Sequence, residues 1–97
     1  MAEIQRMVFS GEMAQRFIQF VMLQSQQASL FLGRLPSPQT GKAEVNLEAA
    51  RMFIDHLEML KEKTAGNLSA QEAEILNSVL SDLQAAFVEA AGSGRIA

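Results

Sequence analysis

Leu57 to Glu72, LEMLKEKTAGNLSAQE, leaves this chain little freedom in how it folds. Apolar residues recur upstream at Leu47, Ala50, Phe53, Ile54, Leu57 and Leu60, the helical spacing of three and four. That pattern fades at Lys61-Glu62-Lys63, where the lysines complement the negative end of a helix dipole. Gly66 supplies a residue that turns left-handed at low steric cost. Ser69 then reads as an N-cap with Glu72 three residues on, a capping box whose two side chains satisfy free backbone N–H groups. Leu68 is placed to act as a staple on Ala73. Thr64 is placed to bond back to a carbonyl one turn earlier, and Asn67 suits turn geometry. One helix ends and another begins with almost no slack, so the two are predicted to be antiparallel neighbours.

The rest of the chain divides around this hairpin. The pattern predicts helices over residues 11–32, 47–63 and 70–91, with Ser10 and Asn46 as N-caps and Gly33 just past the first helix. Residues 11–91 form one predicted all-α domain. Residues 1–10 are expected to add a turn or fray, and residues 92–97 to form a mobile tail. No strand is predicted. The connector GRLPSPQTGKAEVN, with Pro36 and Pro38, is expected to be extended. It is long enough to run back along a helix, and it leaves open whether the first helix packs on its own hairpin or on a neighbour's.

Composition narrows the function classes. The chain of 97 residues has a net charge of −3 with both signs mixed, and it has no basic run. Nucleic-acid binding, which needs clustered Lys and Arg, has no support. There is no Cys, hence no disulfide framework, thiolate metal site or thiol nucleophile, which fits a reducing interior. The start, MAEIQRMVFSGEM, lacks the apolar core and cleavage site of a signal peptide. The stretch from Phe17 to Gly33 is uncharged, but its Gln and Ser residues make it too polar for a span of about 20 apolar residues.

Catalytic signatures are scarce. His56 is the one histidine, and neighbouring Asp55 projects about 100° away on a helix. Arg51 and Asp55 read as an i, i+4 pair on a solvated edge shared with Glu48 and Glu62. Neither a Glu-x-x-His motif, a phosphate loop nor a nucleophile elbow occurs. The expectation is a non-enzyme without metal or cofactor.

The helix faces carry more information. In the third helix Ile75, Leu76, Val79, Leu80, Leu83, Phe87 and Ala90 form one stripe. The first helix is apolar over roughly half its circumference, wider than the usual stripe of about 100°. Its residues Met13, Phe17, Phe20, Val21, Ala28 and Phe31 are the expected self-association set, and Leu23 and Leu30 lie beyond that arc. The expected assembly is a homodimer or higher oligomer with the first helix central. Met52, His56, Met59, Glu62 and Lys63 on the second helix form the candidate partner surface. The alternative function is a carrier or sensor of a small apolar ligand held between Phe17, Phe20, Phe31 and Phe53.

A set of short pieces carries a family resemblance. It includes Leu32-Gly33 followed by Pro36 and Pro38, then Val45-Asn46-Leu47, Ile54-Asp55 and Leu57. It continues through Glu62-Lys63-Thr64, Gly66-Asn67-Leu68-Ser69, Glu72, Leu80 and Leu83. From Phe17 to Glu89 the chain resembles the small bacterial family called domain of unknown function 1844. It departs at Gln84 and Phe87, where the resemblance leads to an expected Arg and Tyr. The resemblance implies a small, cytoplasmic, helical protein and brings no activity, cofactor or catalytic residue. The function read here is a non-catalytic oligomeric module for protein–protein interaction.

Overall fold

The structure, a computed structural model, describes the backbone of residues 2–96 and the side chains of residues 11–92. Its elements in chain order are α1 (Ala2–Phe31), β1 (Leu32–Pro36), β2 (Ala43–Val45), α2 (Leu47–Lys63) and α3 (Ala70–Ile96).

The central hairpin forms from the local chemistry of its ends. Asn46 caps α2 by accepting the Ala49 amide at 3.1 Å. Thr64 closes it, its hydroxyl donating to the Leu60 carbonyl at 2.7 Å. Gly66 sits at φ +85°, and α3 starts with the reciprocal box. The Glu72 amide donates to Ser69 Oγ at 3.2 Å, and the Ser69 amide to Glu72 Oε1 at 2.9 Å. Two orphan donors at a helix start are thereby satisfied.

Two helices are longer than the pattern predicts. α1 runs through Ser10 and Gly11, so Ser10 is not its cap. A mid-helix Gly costs about 1 kcal/mol relative to Ala, which the good helix formers Glu12, Met13, Ala14 and Gln15 that follow it help to offset. α3 continues through Gly92 to Ile96 instead of ending at residue 91. Gly92 keeps a right-handed backbone, and a glycine stops a helix only where it turns left-handed. The expected frayed and mobile ends concern side chains outside the described set and, at Met1 and Ala97, residues outside it altogether.

The connector is a correction. It does not run back along a helix but folds on itself as an antiparallel β-hairpin, with Leu32 opposite Val45 and Pro36 opposite Ala43 around an irregularity. The Asn46 amide donates to the Phe31 carbonyl at 2.7 Å and extends the ladder to the helix ends. The Ser37 amide donates to Lys42 O at 2.8 Å to close the turn, in which Gly41 has φ +71°. Pro36 and Pro38 are tolerated because the first ends a strand and the second lies in the turn. The short sheet lies against α1 and is tied to α3 by Arg34, whose guanidinium reaches Asp82 at 2.9 Å.

All three helices pack on one another within the chain. Val21 and Ala28 from α1, Leu32 from β1, Ala50, Ile54 and Leu57 from α2, and Leu76, Leu80 and Leu83 from α3 make one core. Leu57, Leu76, Leu83 and Val21 are its largest fully buried side chains.

Candidate functional site

The candidate self-association residues do not share one environment. Val21 and Ala28 are fully buried in the chain's own core. Phe17 and Phe31 are half-buried and pack against that core. Only Met13, 61% exposed, and Phe20, 48% exposed, are largely open. The physical reason is angular: the broad apolar arc of α1 is wider than one groove, and the α2–α3 hairpin covers its middle. Val21 and Ala28 therefore belong to the core and are removed from the self-association set. What the sequence set omitted is Met22 and Leu23, 51% and 52% exposed. The sequence signal for them was present, since Leu23 falls beyond the main arc and follows directly on Met22.

The candidate partner surface on α2 also divides. Met52 and Met59 are about half exposed, and His56, Glu62 and Lys63 are exposed. His56 and Met59 share a groove of about 230 Å³ with Phe20 and Gln24 of α1 and with Leu57 and Leu60. The His56 ring stands edge-on to Phe53, centroids 5.9 Å apart. Glu62 instead lines a groove at the α2–α3 turn, about 370 Å³, with Glu58, Lys61 and Thr64 on its rim and Leu68, Ala73 and Leu76 on its floor. Exposed Phe20 and Met59 thus form one apolar surface across two helices, and Glu62 is not part of it.

Of the four phenylalanines expected to hold an apolar ligand, Phe17, Phe31 and Phe53 pack against the core and Phe20 is about half exposed. Phe31 and Phe53 stack on each other, 5.8 Å between centroids and 11° between planes. Phe20 faces the neighbouring groove.

Charged groups lie on the surface in weak pairs. Arg51 and Asp55 approach to 3.9 Å with both side chains exposed, a geometry of little energetic value. Gln84 donates to Glu58 Oε1 at 2.6 Å and links α3 to α2 where an Arg was expected. Among the described residues no group of three or more His, Asp or Glu side chains is placed to hold a metal ion. No helix of the described residues is long and apolar enough to cross a membrane.

No curated protein and no solved structure matches the chain. The family model described as Domain of unknown function (DUF1844) matches residues 14–89, from within α1 through the hairpin and most of α3. That span covers all nine buried core residues and both grooves, and the chain belongs to the DUF1844 family.

Proposed function

We propose that this protein is a non-catalytic, homo-oligomeric helical module that docks a protein partner in the cytoplasm. The observation that supports it is the run of exposed large apolar side chains on adjacent helices: Met13, Phe20, Met22 and Leu23 on α1, Met52 and Met59 on α2. Met13, Phe20 and Leu23 share one side of α1; an exposed apolar patch of this kind marks interaction sites, and Met adapts well to partners. Self-association uses α1. The partner seat is the groove between Phe20 and Met59, whose His56 edge adds a polar contact.

Light scattering behind size exclusion, detected by refractive index because the chain lacks Trp and Tyr, tests the oligomer. A mass at least twice the 10.6 kDa of one chain is expected, and a monomer at every concentration would remove that half of the proposal. A photo-crosslinker at Met59 tests the partner seat. One discrete adduct in cells, abolished by Phe20→Glu, is expected.

The second reading, a carrier of a small apolar ligand, is favoured by the groove over Leu68, Ala73 and Leu76. Its volume of about 370 Å³ lies within the range of small-molecule sites. Native mass spectrometry showing a stoichiometric bound lipid would move the function to this reading.

A further inference from the structure

The face of α1 turned away from the core is unlike an ordinary solvated helix face. Gln19 and Gln26 lie on one line, seven residues apart, and Met22 and Leu23 flank that line on either side. With Ile18 and Ser25 they form a shallow trough made of α1 alone. From Phe17 to Gly33 the chain carries no charged residue, although Gln19, Phe20, Met22, Leu23 and Gln26 are all exposed. Solvated helix faces are usually laced with Lys and Glu, whereas interface centres are depleted in charge and enriched in Met and aromatics.

Resting on the oligomeric reading above, we propose that this face is covered by the same face of a second copy, around a twofold axis near Met22 and Leu23. Two observations select a second copy over a different partner. The first is charge. A twofold contact sets the same patch of both copies against itself, so a patch of one charge sign repels itself, and between Phe17 and Phe31 this face carries no charge. Glutamine is self-complementary, since its amide both donates and accepts, so Gln19 and Gln26 satisfy each other across an axis. A neutral face also offers no electrostatic handle to a charged partner.

The second is area. The chain exposes 7151 Å², whereas a compact monomer of its mass exposes about 5,500 Å². The excess is on the order of 1,700 Å², about twice the ~800 Å² each partner gives to a standard interface. That excess is spread over the whole elongated chain, and it is large enough to supply one such interface.

Leu23→Glu and Met22→Glu test the proposal by placing like charges face to face. Neither side chain holds the core. Wild type is expected at twice the chain mass, and each variant is expected to raise the dissociation constant at least about tenfold. Ala85→Glu, on the exposed side of α3, is expected to leave the dimer intact. Far-UV circular dichroism checks that each variant stays helical. A variant that loses helix is replaced by cysteine scanning, which the Cys-free chain permits. Cys introduced at Gln19, Met22, Leu23 and Gln26 is expected to cross-link copies at one or more positions, and Ser81→Cys is not. A wild-type dimer that both glutamate variants leave unchanged, or that cross-links only through Ser81→Cys, overturns this assignment of the face and leaves the oligomeric reading standing. A wild-type monomer overturns both and makes a different protein the occupant.

Discussion

Gly33 and Gly66 share a left-handed backbone, φ +80° and +85°, but not their surroundings. A Cβ on Gly66 would meet nothing within 4 Å, whereas one on Gly33 would lie 2.8 Å from Val45 Cγ2. Gly66→Ala therefore carries only the backbone penalty, about 1–2 kcal/mol. Gly33→Ala adds a steric clash across the β-hairpin and is expected to cost more. Adding Val45→Ala to Gly33→Ala is expected to return the cost toward that of Gly66→Ala. Urea unfolding followed by circular dichroism measures all three, and equal costs for the two single variants would contradict the clash. Ser69 gives a second prediction at this scale. Its hydroxyl accepts the Glu72 amide, so Ser69→Ala is expected to lose about 1 kcal/mol, a fall in Tm of about 4–8 °C.

Between elements, the α2–α3 turn was legible because its signals are local: a capping box, a glycine and a threonine, each acting within four residues. The β-hairpin was not. Its strands are short and largely exposed, and the first ends at a proline, so they lack the apolar alternation that marks a strand. The turn-rich PSPQTG between Leu35 and Val45 is a signal, but an extended connector has the same composition. Helix ends were misplaced at Ser10 and Gly92 because a potential cap acts only when the backbone leaves the helix there. The candidate site was legible in kind and not in detail. Periodicity shows that α1 is apolar over a wide arc, but only packing decides that Val21 and Ala28 fall under α2 and α3 while Met22 and Leu23 stay outside. The hairpin is held to α3 by Arg34–Asp82, whose side chains are 47% and 63% exposed. Solvent screens such a pair, so Asp82→Ala is expected to cost well under about 1 kcal/mol, less in high salt. A loss of several kcal/mol would mean that Asp82 does more than pair with Arg34.

At the scale of the whole molecule, shape and assembly become one question. The radius of gyration is 16.2 Å, against about 12–13 Å for a compact chain of this length. The principal extents of 61 × 27 × 15 Å describe an elongated body. Nine buried residues among those described are a modest core beside Met13, Phe20, Met22 and Leu23, which stay open on one helix. A second copy on α1 would bury more of that surface, so folding and association are coupled in the dimer. Mass action then makes stability depend on concentration. Each tenfold rise in protein adds about 1.4 kcal/mol to the apparent stability of the pair. Spread over two chains, this raises Tm by about 3–5 °C per decade. Differential scanning calorimetry from low to high micromolar protein measures that slope directly. Leu23→Glu is expected to abolish it while leaving a folded, less stable monomer, because Leu57, Leu76 and Leu83 still close the core within one chain. A wild-type Tm that does not move with concentration would mean that the three helices supply their own stability and that the open face of α1 takes no part in it.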